Sequence, residues 1–484
     1  MELNALKNWL FEAANILRGP VDQSDYKAYI FPLLFLKRIS DVYDEEKAEA
    51  IKLYGEDFLD EHRFVIPTEC HWQDIRKVTT DLGQKIQSSM RKIEAANPDS
   101  LYGIFGDTQW TNKDKLSDAL LIDLIEHFSE KNLNNENVNP NTMGDAYEFL
   151  IERFADLSNK KAGEFYTPRS VVRLMTMILD PQEKMSIYDP ACGTGGMLLE
   201  AIDYLKKQGR EYRNLKLYGN EKNLTTSAIA KINMFLHDIT DFEIVRTDTL
   251  KNPTFFEEDK LKKFDLVIAN PPFSLKNWGR EEWENDERNY LGVLPPKTNG
   301  DFAWILHMLK SLKENGKMAV VLPHGVLFRS AAEQKIRKEL IDNDYFETII
   351  GLGPNLFYGT LISTSIIVLN KNKPKIKKNK VQFIDGSDLY KSGKAQNFMF
   401  DEHINKIYEL YTSYENKEGL TAIATSGEIA KEDYNLTLTR YIKKLKVEDT
   451  VTLNETYEEM LKAYTLSEQA DDEVLEMLLQ MEEI

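Results

Sequence analysis

The tetrapeptide Asn270-Pro271-Pro272-Phe273 carries the sharpest chemistry in the chain. It closes the apolar run Phe264-Asp265-Leu266-Val267-Ile268-Ala269, which reads as a buried parallel strand. Neither proline can donate to a ladder, so the chain must leave the sheet at this point. The carboxyl end of such a strand is where open α/β sheets place their ligands. There the Asn270 amide and the Pro271 carbonyl stand side by side as acceptors, the prolines fix them, and Phe273 offers an aromatic face. The combination suits a planar ring that bears an exocyclic NH2.

A second constellation is Asp189-Pro190-Ala191-Cys192-Gly193-Thr194-Gly195-Gly196. Met185-Ser186-Ile187-Tyr188 before it reads as a strand and Met197 to Ile202 after it opens an amphipathic helix, so the glycines occupy a strand-to-helix turn where a cofactor can touch bare backbone. The Gly-x-Gly-Gly spacing is not the Gly-x-Gly-x-x-Gly of dinucleotide sites, and no Gly-Lys-Ser/Thr follows to hold phosphates. Two carboxylates complete the set. Leu215 to Glu221 reads as the next strand and ends in Glu221, a candidate acceptor for ribose hydroxyls. Phe242 to Asp248 reads as a third, and Asp248 is placed to accept from an adenine amino group.

Asp189 to Gly196 followed by Asn270 to Phe273 resembles the paired motifs of S-adenosylmethionine-dependent amino-methyltransferases. The upstream Gly163-Glu164-Phe165-Tyr166-Thr167-Pro168-Arg169-Ser170 narrows the resemblance to the modification subunit of type I restriction-modification systems, and Val321 to Phe328 and Asp433 to Leu436 extend it. The resemblance implies adenine-N6 methylation of double-stranded DNA with S-adenosyl-L-methionine as cofactor. Its implied cofactor set here is Glu164, Phe165, Tyr166, Thr167, Pro168, Arg169, Asp189, Gly193, Thr194, Gly195, Gly196, Glu221 and Asp248, and its catalytic set is Asn270, Pro271, Pro272 and Phe273. It also implies a separate DNA specificity subunit, two modification subunits to each, and a restriction subunit that can join and bring the ATP-dependent motor.

Methyl transfer from a sulfonium to an amine is an in-line displacement, so it needs positioning and a favourable field at nitrogen but neither a metal nor a covalent nucleophile. Asn270 and the Pro271 carbonyl can take the two amino hydrogens and draw the lone pair out of ring conjugation. Phe273 can stack on the base, which must first leave its duplex. Phe165 and Tyr166 read either as a cover over the cofactor or as core aromatics. A pyrimidine C5-methyltransferase would need a cysteine nucleophile. Only Cys70 and Cys192 exist, and neither stands where it could attack. Two cysteines without CxxC spacing argue against zinc and disulfides and for a reducing compartment. Rival readings are methylation of protein glutamine or RNA, and a subunit that binds cofactor without catalysing.

These groups need a scaffold. The composition, 42% hydrophobic and 11% aromatic over 484 residues, is globular and allows two or three domains. Helical periodicity over residues 1–158 predicts an N-terminal helical domain, 159–412 a seven-stranded doubly wound Rossmann-like α/β sheet, and 413–484 a helical C-terminal segment. The further strands are placed at Lys317 to Leu322, Phe346 to Ile350 and Ser363 to Leu369. The basic run Lys371 to Lys380 reads as a solvated connection or a phosphate-contacting loop. The acidic tail from Glu455 carries an apolar stripe that fits a helical hairpin or a docking surface. No stretch approaches a membrane span, and the expected location is cytoplasmic. A net charge of −18 opposes DNA binding by the chain alone, which again asks for a partner.

Overall fold

The β-branched run of Phe264–Ala269 does what its pattern dictates: it is an interior strand whose alternate residues enter two different cores. Leu266 and Ile268 pack with the helices Arg169–Leu179 and Gly196–Lys207, and Val267 and Ala269 pack with the helix Asp301–Lys310. A computed structural model describes residues 1–157, 167–357, 362–394, 396–443 and 453–482. It falls into two units, Met1–Ile442 and Lys443–Ile484.

In chain order the strands are β1 Ser186–Asp189, β2 Lys216–Glu221, β3 Phe242–Arg246, the short hairpin β4 Phe256–Glu257 and β5 Lys260–Leu261, β6 Phe264–Ala269, β7 Leu312–Pro323, β8 Phe346–Leu352, β9 Thr364–Asn370, β10 Lys380–Gly386 and β11 Thr421–Thr425. Apart from the hairpin they form one sheet in the order β11-β10-β8-β9-β7-β6-β1-β2-β3. Its pairs are parallel except those made by β9 and β11. The expected seven strands are all present, but the sheet has nine among the described residues. The two additions, β10 and β11, lack a long apolar run. β10 starts inside the basic segment and buries the polar Gln382, whose amide donates to the Leu410 and Tyr411 carbonyls.

The basic segment itself is stitched to the sheet. Lys371 Nζ donates to the Leu312 carbonyl at 2.7 Å, and Lys373 Nζ to the carbonyls of Phe346 and Lys380 at 2.9 and 2.8 Å. Lys377 pairs with Glu347 at 3.0 Å and lies 4.4 Å from the Tyr411 ring centre. Three of its lysines are thus occupied internally, which favours the connecting role over phosphate contact.

Before the sheet, the helices Leu3–Ile16, Tyr26–Tyr54, Leu82–Ala96, Asp118–Ser129 and Pro140–Leu157 share a core with Ile229, Ile232, Phe235 and Leu236 of the helix Leu224–Leu236. Pro32 sits inside Tyr26–Tyr54 and cannot donate to the Ala28 carbonyl four residues back. The Thr108 hydroxyl donates to that carbonyl instead, at 2.8 Å. Gly144 allows a close approach between the two regions: a Cβ there would lie 2.6 Å from the His237 ring.

In the second unit Leu453–Glu482 is one continuous helix, not a hairpin. Tyr457, Met460, Leu461 and Tyr464 are exposed on it. Among the described residues no helix is long and apolar enough to cross a membrane.

Candidate active site

β6 delivers Asn270 to the carboxyl edge of the sheet, where the amide has one orientation. Its Nδ2 donates to Thr167 Oγ1 at 2.8 Å, so Oδ1 is left as acceptor. That oxygen is buried and has no hydrogen-bond partner among the described residues. A buried, unpaired acceptor is costly unless something else comes to meet it. Pro271 and Pro272 continue the wall, and Phe273 sits half-buried beside it with its ring 6.3 Å from that of Phe357 in an edge-on arrangement. The loop is pinned just past the tetrapeptide. Ser274, at φ +51°, donates its backbone N–H to Asp301 Oδ1 at 2.7 Å, and the fully buried Asp301 also pairs with Arg329 at 2.6 Å.

β1 delivers Asp189 and the glycine turn. Asp189 accepts from the Ala191 N–H at 3.0 Å, and Gly193 and Gly195 take φ values of +54° and +82°. Gly195 is fixed by packing as well, since a Cβ there would meet Met234 Cε at 2.6 Å. Gly196 opens the next helix, so its first N–H groups face the ligand side. Glu221, from the end of β2, accepts from the Gly193 N–H at 3.1 Å and the Asn223 N–H at 2.7 Å. Asp248, just past β3, pairs with Lys222 at 2.9 Å. Burial pushes the Asp189 carboxyl up to about 8, against its bond from Ala191 and with help from the Glu221 charge. Burial likewise lifts Glu148 to about 7, although Arg169 Nη2 donates to it at 2.5 Å.

One cavity of about 1180 Å³ collects these groups: Thr167, Arg169, Asp189, Gly193, Thr194, Gly196, Glu221, Asp248, Asn270, Pro271 and Pro272 all line it. A small-molecule site typically holds about 300–1,000 Å³, so there is room for more than one reactant. Pro168 lies at the start of the helix Arg169–Leu179, Gly195 behind the turn, and Phe273 at the flank. Glu164, Phe165 and Tyr166 fall outside the described residues. Sequence reasoning missed Asp301, which holds the loop after Asn270-Pro271-Pro272-Phe273, and Trp304, which lines the cavity with a buried indole N–H lacking a partner among the described residues. Gly300-Asp301 at a helix start was the available signal. Cys192 is buried under Gly219, and burial holds its thiol far above the usual range, the opposite of a nucleophile.

A mostly parallel sheet with a glycine turn after its first strand, carboxylates at or just past the ends of its next two strands and an Asn-Pro-Pro-Phe loop around one cavity is the arrangement expected of a methyltransferase of the amino class. Comparison with known proteins makes this specific. Residues 138–450 match the N-6 DNA Methylase family model, and residues 6–128 match the HsdM N-terminal domain. The chain is 30% identical to the type I restriction enzyme MjaIX methylase subunit of Methanocaldococcus jannaschii over 98% of its own length and 90% of that protein's. To the MjaVIII methylase subunit of the same organism it is 32% identical, covering 94% and 81%. The crystal structure of a type I restriction-modification system methyltransferase subunit from Streptococcus thermophilus superposes with a TM-score of 0.81 at 32% identity, covering 92% of this chain and 100% of that one. The chain therefore belongs to the N-6 DNA methylase family, among the methylase subunits of type I restriction enzymes.

Proposed function

We propose that this chain methylates the N6 amine of an adenine flipped out of double-stranded DNA, using S-adenosyl-L-methionine, as the catalytic subunit of a complex that reads its site through a separate specificity subunit. The observation that carries the reading is the Asn270 amide, turned by Thr167 so that a buried acceptor is left for an incoming amine. When bound, the cofactor supplies an electrophilic methyl group on a sulfonium. Everything else is the work of this chain. Asn270 Oδ1 and the Pro271 carbonyl accept the two amino hydrogens, hold the nitrogen lone pair out of the ring plane and favour the positive charge that develops there. Phe273 and Phe357 supply apolar faces for the base. The glycine turn, Glu221 and Asp248 hold the nucleoside half of the cofactor, with Asp189 beneath the turn. Thr167 and Arg169 line the same cavity, and a cofactor role for Glu164, Phe165 and Tyr166 is part of this proposal as the resemblance implies it.

We take residues 1–158 as the helical part and 159–412 as the catalytic part; of 413–484, expected as a helical docking segment, β11 belongs to the sheet, which leaves the helix Leu453–Glu482 for docking. The acidic balance of −18 leaves DNA affinity to the partner, in a complex of two such chains per specificity subunit. A restriction subunit can add to it. Two free, buried cysteines suit a reducing, cytoplasmic setting.

The test is to purify the chain with and without its specificity polypeptide and to follow labelled methyl transfer and gel shifts. Alone it should bind cofactor but show no site-specific DNA binding at physiological salt, and adenine methylation should appear on assembly. Site-dependent methylation by the single chain would sink the multisubunit reading.

A further inference from the structure

Flipping a base leaves a gap in the duplex, and proteins that open DNA commonly fill such gaps with an apolar side chain. The structure holds a residue built for that task and used by nothing described above. β7 runs parallel to β6 with Ala269 opposite Val320, so its end at Pro323 carries the chain three residues further in the same direction than the end of β6. The following turn, His324–Leu327, buries Val326 and Leu327 at 1% exposure each, whereas Phe328 is 52% exposed.

The backbone that presents Phe328 is held from every side. Arg337 Nη1 donates to the carbonyls of Val326 and Arg329, and the Leu436 N–H donates to the Leu327 carbonyl at 2.8 Å. Arg329, the next residue, forks to Glu333 and to Asp301, both at 2.6 Å, and Asp301 also anchors Ser274 directly after Phe273. Phe328 therefore stands one residue and one shared carboxylate away from the catalytic loop. Three residues on, Ala331 takes φ +59° and ψ −124°, a conformation a side-chain-bearing residue rarely adopts and one that collects at functional loops. A large exposed ring on a rigid support loses little conformational freedom on binding. Phe400, which lines the cavity and is 48% exposed, has the rings of Phe398 and His403 beside it at 6.5 and 6.1 Å.

We propose that Phe328 is the wedge that enters the base stack when the target adenine leaves it. The proposal rests on the adenine methyltransferase reading and adds to it the residue that stabilises the opened duplex. It is tested on this chain assembled with its specificity subunit, comparing F328A with wild type on two substrates: an ordinary duplex carrying the site, and the same duplex with an abasic position opposite the target adenine. On the ordinary duplex the single-turnover rate should fall roughly tenfold or more, whereas on the pre-opened one it should stay within about twofold. F328W should retain activity on both, and cofactor affinity should not change. With 2-aminopurine at the target position, the fluorescence rise on binding should be lost in F328A. Equal loss on the two substrates, or no loss on either, overturns the proposal. A wild-type complex that fails to methylate even the pre-opened duplex would instead overturn the underlying reading.

Discussion

Asp189 and Glu347 are both buried carboxylates on strands of one sheet, exposed by 1% and 2%, yet their environments push them in opposite directions. At the cofactor edge, burial dominates for Asp189, which has the Ala191 N–H and the nearby charge of Glu221, and the carboxyl rises to about 8. At the opposite edge, burial would raise Glu347 too, but Lys317 and Lys377 and bonds from Tyr411 and Asn370, both at 2.7 Å, bring it down to about 2. The contrast separates a working site from a structural one. At the Glu347 edge the carboxylate is paired within the chain. Where a ligand is expected, Asp189 and the Asn270 oxygen are left underprovided.

The largest effect should come from the most underprovided group. Asn270→Ala removes the acceptor but no cofactor contact, so methyl transfer by the assembled complex should fall by on the order of 10²–10³, the usual effect of losing one positioned polar group at a reacting centre. Calorimetry should find cofactor affinity nearly unchanged. Near wild-type transfer would remove Asn270 from the mechanism.

Breaking the paired edge should cost stability and leave the chemistry alone. Glu347→Gln strands two lysines beneath the sheet, and denaturant unfolding at pH 7 should register a loss of about 3 kcal/mol. The sign of the pH dependence follows from the depressed value. Its stabilisation is present above the unfolded carboxylate range and disappears as pH falls from 4.5 through about 2, so the variant's acid unfolding should be flatter in that window. An unchanged acid limb would mean that the pairing contributes nothing.

The cofactor edge should behave in reverse. A carboxyl raised from 3.8 to about 8 adds stability only while protonated in the fold, fully below pH 3.8, and loses it as pH rises through about 8. Asp189→Asn should therefore raise the cofactor-free stability at pH 7 by about 1–2 kcal/mol while weakening cofactor binding. A variant less stable in both states would place Asp189 with the structural carboxylates. The smallest change is expected from Cys192→Ala, which trims one buried sulfur beside Gly219 and should keep the transfer rate within about twofold. Complete loss with folding and cofactor binding intact would bring covalent catalysis back.

What the sequence showed and what it hid follow from the same physics. Strands such as Phe264–Ala269 and Thr364–Asn370 carry unbroken apolar runs at their centres, and those runs announce them. β10 hides because the polar Gln382 occupies a buried position that the distant Leu410 carbonyl makes tolerable. The tetrapeptide Asn270 to Phe273 was legible because its residue types and their order are local. The Thr167 hydrogen bond that orients Asn270 spans 103 residues, and the Asp301 brace on Ser274 spans 27; no periodicity or spacing encodes such partners. Thr167 appeared in the sequence as part of an expected cofactor loop, and its hydroxyl meets the Asn270 amide.

The core shared by the N-terminal helices and Leu224–Leu236 sets a rule for anyone who recombines such chains. A chimera cut near residue 158 would transplant one half of an apolar interface and leave Ile229, Ile232, Phe235 and Leu236 facing foreign partners, with His237 pressed against whatever replaced Gly144. The natural unit of exchange is therefore discontinuous. It is the helices of the first 157 residues together with the face of one helix some seventy residues further along, and grafts that respect that seam should express as folded protein where a simple head-swap aggregates.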